Sequence, residues 1–279
     1  MENNYENQKK QLLEKGYCVI SDLFNADEIE NMKKKIELCH KKENKTFVNP
    51  IHEEKEYWEI IFEEKIHNIA KYFLSNENIC YLFNAQSHFQ QNTDIPSVEW
   101  HRDNVCRRFG YGPDWDKEDP YNVLRIGIYL SPKENNTGIN VIPYTHIKNN
   151  TISSYLRIFH WRLKKFKFFK NFRNLFRFFT GKNIYTKEGD CVIFFANLLH
   201  AALPTKKDRK NIFLSFGTNN LHAENYVNYY SFYRKELNFI FSDNSKLKDK
   251  FFSLLKEHKI FFPIPKDKKD ILGASNKKD

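Results

Sequence analysis

The chain has no CxxC pair and no paired cysteine framework; its five cysteines, Cys18, Cys39, Cys80, Cys106 and Cys191, are scattered and odd in number. That excludes a disulfide-stapled secreted scaffold and points to reduced thiols. The opening stretch, MENNYENQKKQLLEKG, lacks the apolar core of a signal peptide, and no run reaches the length of a membrane-crossing helix. A cytoplasmic protein is therefore expected. No internal repeat or linker interrupts the sequence, so one domain over residues 1–279 is the simplest organisation, with a frayed Lys-rich tail from about residue 265. What is plentiful is aromatic side chains, 16% of residues with 26 Phe and 15 Tyr, and positive charge, +10 overall. The rings predict a core of large side chains. The charge favours anionic partners: phosphate, nucleic acid or an acidic membrane face.

Residues 5–15 predict a short polar helix leading into Gly16-Tyr17-Cys18-Val19-Ile20 as a first strand. Asn25, followed by acids at 27 and 28, is a candidate N-cap for a helix reaching about His40. A second helix is expected over 54–74, where Trp58, Ile61, Phe62, Ile66, Ile69 and Phe73 recur at helical spacing. Beyond that, short apolar or alternating runs take over at 79–90, 97–103, 123–130, 139–143, 189–196 and 211–218. They are separated by turn signals such as Asn135-Asn136-Thr137-Gly138. This order predicts a mainly β fold, sandwich or barrel, with flanking helices.

Ten histidines are present, so context has to single out any ligand. In Val98-Glu99-Trp100-His101-Arg102-Asp103 a strand-like run carries His and Asp two residues apart. Side chains at i and i+2 on a strand share a face, so both can reach one ion. A second such run, 189–195, leads into Leu199-His200. Two imidazoles and one carboxylate make the facial triad with which non-haem Fe(II) oxygenases leave positions open for cosubstrate and O₂. Arg209 follows His200 by nine positions and enters the strand Asn211-Ile212-Phe213-Leu214-Ser215. Its guanidinium can grip a distal carboxylate in a two-bonded fork, and Ser215 can add a hydroxyl. Lys206, Lys207 and Lys210 are rival cations without that fork. The bland alternatives are a solvated loop histidine beside an unrelated acid, and a surface arginine in a basic loop.

These pieces together resemble the phytanoyl-CoA dioxygenase family of Fe(II)/2-oxoglutarate oxygenases, over roughly residues 10 to 220. Trp100-His101-Arg102-Asp103 is similar to the family's WHxD. The run Gly138 to His146 is similar to its glycine-led segment ending Pro-Gly-Ser-His, although Tyr144-Thr145 stands where the family has Gly-Ser. Gly16 to Ile20, Gly189-Asp190 ahead of His200, and Arg209 complete the match. The resemblance implies a double-stranded β-helix (jelly roll, cupin-like) core. It also implies that His101, Asp103 and His200 bind Fe(II), that Arg209 binds 2-oxoglutarate, and that His146 is a loop histidine outside the ligand set. The reaction implied is dioxygenation with O₂, releasing succinate and CO₂, with hydroxylation of a C–H bond favoured over desaturation or epimerisation. Two other readings stay open: a cupin-type metalloenzyme that does not use 2-oxoglutarate, and a catalytically silent basic binding protein on the same scaffold.

Residues 156–182 hold nine Lys or Arg and no acid, and Phe159, Leu163, Phe166, Phe169, Phe172, Phe176 and Phe179 fall at helical steps. A basic aromatic helical insert is expected over about 150–183. It either packs on the core with a solvated basic face, or docks a lipid- or nucleotide-linked anionic substrate or a membrane surface; nucleic acid is the lesser candidate. The loop 107–121 after the HxD pair is expected to rim the site, with Arg107 and Arg108 as candidate contacts for an anion.

Overall fold

The structure, a computed structural model, describes residues 5–43, 46–90, 101–103, 122–146, 181–205, 207–232 and 245–264. The loop 107–121, Cys106, most of the basic aromatic insert and the tail from 265 lie outside these residues.

Helix α1 (Glu6–Lys15) ends at Gly16, whose φ of 86° is left-handed and whose N–H donates to the Leu12 carbonyl. A side chain at 16 would also meet the His146 ring and Leu198, so only glycine lets the chain turn here into β1 (Tyr17–Ile20). Helix α2 (Ala26–Glu43) opens on a reciprocal cap. The Glu28 N–H donates to Asn25 Oδ1, and the Asn25 N–H donates to the Glu28 carboxylate. The single helix expected over 54–74 is divided. Two 3-10 turns (Ile51–Glu53 and Lys55–Tyr57) and the one-turn α3 (Trp58–Ile61) precede α4 (Glu64–Leu74), because the backbone turns extended at Glu63. The His67 ring bonds the Ile61 carbonyl that the break leaves over.

Among the described residues the strands form two antiparallel sheets. The larger runs β1–β8–β5–β10–β4–β2, with β3 (Ile79–Tyr81) also paired to the long β10 (Arg209–Thr218). Its other members are β2 (Phe47–Val48), β4 (Gln86–Gln90), β5 (Val123–Tyr129) and β8 (Cys191–Phe195). The smaller runs β7–β6–β9, from β6 (Gly138–Val141), β7 (Lys182–Tyr185) and β9 (His200–Ala202). Helices α5 (Leu221–Phe232) and α6 (Ser245–Glu257) follow. None of the described helices is long and apolar enough to cross a membrane.

One face of the large sheet packs Leu124, Ile126, Ile128, Ile193, Ile212, Leu214 and Phe216 against the helices. The other face packs Tyr129, Val192 and Phe194 against Ile139, Val141 and Ile184 of the small sheet. The expected jelly roll is thus present, and a sheet buried on both faces explains why its strands read as apolar runs rather than alternating ones. The insert expected to be helical to 183 ends sooner. Lys182–Tyr185 is a strand, with Ile184 opposite Ile139 in the small sheet.

Candidate active site

The inner face of the large sheet is polar where the two sheets open. In register across it lie Gln86 and His88 of β4, Arg209, Asn211, Phe213 and Ser215 of β10, and Arg125, Gly127 and Tyr129 of β5. A cavity of about 440 Å³ opens on this face, lined also by His101, Asp103 and His200. Its size lies within the range of small-molecule sites, about 300–1,000 Å³. Gly127 makes room for its floor: a side chain there would meet the Phe213 ring at 2.6 Å.

His101 and His200 are joined by an antiparallel bridge in which each N–H donates to the other's carbonyl, at 2.9 and 3.0 Å. This brings their rings to 4.3 Å. Arg102 turns the opposite way and donates to the Thr145 carbonyl, so the two-residue alternation carries Asp103 back to the side of His101. Asp103 Oδ1 lies 3.5 Å from His101 Nε2, and Oδ2 lies 3.9 Å from His200 Nε2. One donor atom from each of the three residues falls within 4.8 Å of the others. Burial, then the neighbouring His101, lowers the His200 pKa to about 3, so its imidazole is neutral with a lone pair to offer. Burial alone would raise the Asp103 carboxyl, but the Arg125 charge beside it outweighs burial and holds it well below the usual range. Two imidazole rings, that of His200 neutral, beside an ionised carboxylate are the donor set a divalent ion of intermediate softness takes.

Arg209 is buried in the same cavity. It donates to the Leu203 carbonyl, has no carboxylate partner among the described residues, and its Nε donates to nothing there. Burial lowers its pKa, as expected of a charge without compensation. The rival Lys210 is spent on Glu37 at 2.7 Å. Ser215 does not line the cavity. Its hydroxyl donates to the Asn84 carbonyl and accepts from Arg125. The hydroxyl that does line the cavity is that of Tyr129, buried in its wall with no partner for its OH among the described residues. Sequence reasoning passed over Tyr129 and Arg125. The available signal was a lone arginine in the apolar run Val123-Leu124-Arg125-Ile126-Gly127-Ile128-Tyr129, whose odd members share a face.

His146 lies apart from the ligands, stacked on Phe195 at 5.3 Å, with its Nε2 at 3.1 Å from the Leu13 carbonyl. Tyr144, in the place of a glycine, takes a left-handed φ of 66°. Thr145 donates to the Ile142 carbonyl and accepts from the Leu199 N–H.

The family model for phytanoyl-CoA dioxygenase (PhyH) matches residues 12–211. Solved structures with a similar fold include HygX from Streptomyces hygroscopicus with nickel and 2-oxoglutarate bound (TM-score 0.57, 14% identity, covering 76% of this chain and 87% of that one). EctD from S. alaskensis with 2-oxoglutarate and 5-hydroxyectoine is another (0.53, 16%, 76% and 75%). A third is SnoK, a non-haem α-ketoglutarate-dependent carbocyclase from nogalamycin biosynthesis (0.58, 13%, 78% and 85%). No curated protein matches the chain.

Proposed function

This chain belongs to the phytanoyl-CoA dioxygenase family of iron- and 2-oxoglutarate-dependent oxygenases, and from that premise we propose that it hydroxylates a C–H bond of a small anionic substrate. The observation that carries the reading is one cavity holding both a His101–Asp103–His200 donor cluster and a buried arginine, Arg209, with no acid to pair it among the described residues. The residues fit the group: His101, Asp103 and His200 hold Fe(II), and Arg209 with the Tyr129 hydroxyl takes the far carboxylate of 2-oxoglutarate. When bound, iron with 2-oxoglutarate and O₂ supplies the oxidising power, and 2-oxoglutarate leaves as succinate and CO₂.

The protein's own part is arrangement. The buried His200 imidazole stays unprotonated and needs no proton release before it binds a cation. Phe194, Phe213 and Ile139 form an apolar wall that keeps water from the space between the triad and Arg209. Asn49, Gln86 and His88 present polar groups elsewhere on the lining, where a polar substrate is received. In the same reading the enzyme works in the cytoplasm, and the basic aromatic run 156–182 meets the anionic substrate or an acidic membrane face. Co-sedimentation with anionic vesicles tests the membrane part, which an absence of binding at low salt would remove.

The decisive experiment is succinate formation from 2-oxoglutarate with Fe(II), in wild type, His101→Ala and Arg209→Ala. Activity in wild type alone is expected, with product one oxygen atom heavier than substrate. The Arg209 change removes charge-assisted hydrogen bonds worth roughly 2–3 kcal/mol, and so raises the cosubstrate requirement on the order of 30- to 150-fold. Metal binding without any effect of 2-oxoglutarate would favour a metalloenzyme that does not use that cosubstrate.

A further inference from the structure

Asp103 is the one acid among the described residues that line the cavity, and it is held from two directions. Arg125 Nε lies 2.7 Å from its Oδ2, and the Tyr230 hydroxyl donates to its backbone carbonyl at 2.8 Å. Arg125 is 1% exposed and is itself fixed. Its Nη1 donates to the Asn84 carbonyl and to Ser215 Oγ, and its guanidinium lies over the Phe213 ring at 5.5 Å. The Tyr226 hydroxyl closes the circle, accepting from Asn84 Nδ2 at 2.6 Å and lying 3.1 Å from Ser215 Oγ. Three of these groups, Ser215, Tyr226 and Tyr230, come after residue 211, where the family match ends.

We propose that Arg125 is a positioning residue for the metal centre: anchored by Asn84, Ser215 and the C-terminal helix α5, it holds Asp103 Oδ2 and leaves Oδ1 as the single carboxylate oxygen offered to the ion. The inference rests on the reading of His101, Asp103 and His200 as ligands. Two features of the geometry carry it. The guanidinium uses opposite sides of one rigid plane, Nη1 toward its anchors and Nε toward the carboxylate, which a flexible ammonium cannot do. And Asp103 Oδ2 lies against Arg125 Nε while Oδ1 faces His101 Nε2 at 3.5 Å, so Oδ1 is the carboxylate oxygen set beside the imidazole nitrogens. Groups that orient a ligand in this way change metal affinity by about 10- to 100-fold when removed.

The test is titration of the metal-free protein with Co(II), whose visible absorption reports coordination geometry, alongside thermal melting. Arg125→Gln is expected to bind Co(II) about 10- to 100-fold more weakly, with altered visible bands once saturated. Arg125→Lys keeps the buried charge but cannot span anchor and carboxylate together, so the weakening and the altered bands persist. Tyr230→Phe loosens only the backbone hold and gives a smaller loss. If Arg125→Gln does not fold, Arg125→Lys decides. Variants that melt lower yet keep wild-type affinity and bands show a merely structural arginine and overturn the inference. So does full rescue by lysine, and so does tighter binding on removal of Arg125. Failure of the ligand reading looks different: wild type takes up no Co(II), or His101→Ala takes it up as tightly as wild type.

Discussion

In the proposed reading, Tyr129 is a single group that helps decide which cosubstrate the cavity accepts. Among the described residues its hydroxyl is buried without a partner, beside an arginine that has no acid to pair it. Two unmet donors in one wall are costly in a protein that binds nothing there and are satisfied together by one carboxylate. Tyr129→Phe is therefore expected to weaken 2-oxoglutarate binding by roughly 10-fold, about 1.4 kcal/mol. Co(II) affinity should stay unchanged, because Tyr129 touches none of the three ligands. Calorimetric titration with 2-oxoglutarate over metal-loaded protein measures both; equal cosubstrate affinity in the variant would remove Tyr129 from the site. The candidate triad His101, Asp103 and His200 was legible in the sequence because its chemistry is written in residue type and short spacing. Tyr129 and Arg125 were not, because only the fold sets them beside their neighbours: β5 pairs with the distant β10 that carries Arg209, and Arg125 meets Asp103 from another part of the chain. Ser215 was misread for the complementary reason. It shares the face of Arg209, but Arg125 stands between it and the cavity.

Elements were legible in proportion to the simplicity of their surroundings. Strands β5, β8 and β10 stood out as apolar runs, since helices cover one of their faces and the small sheet the other. Strand β7 has one buried side chain, Ile184, and no pattern to betray it. Helix α5 buries His222, Ala223, Asn225, Tyr226, Val227, Asn228, Tyr229 and Tyr230, leaving no polar face to mark a helical period. The turn after β6 carries a test of its own. Tyr144 is 38% exposed at a left-handed φ of 66°, a conformation costing a residue with a Cβ about 1–2 kcal/mol. Glycine escapes that cost but gains freedom in the unfolded chain. Tyr144→Gly is accordingly expected to stabilise the protein by up to about 1 kcal/mol, read as a higher denaturant midpoint. A lower midpoint would mean that the exposed ring makes contacts that outweigh its backbone strain.

At the scale of the whole molecule, the histidines that build the fold carry its response to acid. Burial lowers the pKa of His67, and lowers His88 and His146 to about 4 each. In the unfolded chain each returns to about 6.5. Between those values the unfolded state binds protons that the folded state refuses, so unfolding becomes more favourable as pH falls. Stability from these groups is complete above about pH 6.5 and is lost progressively toward pH 4, before the buried Asp103 begins to titrate. The melting temperature of metal-free protein, kept in chelator so that ion binding adds no proton linkage, is thus expected to fall steadily over that window. His146 isolates one contribution, since it lies between Phe195 and the Leu13 carbonyl, away from the ligands. His146→Asn should melt lower than wild type at pH 8, having lost the ring stack, yet show a shallower decline between pH 6.5 and 4. A decline as steep as that of wild type would mean that the acid response comes from the growing charge of an already basic chain, and not from its buried imidazoles.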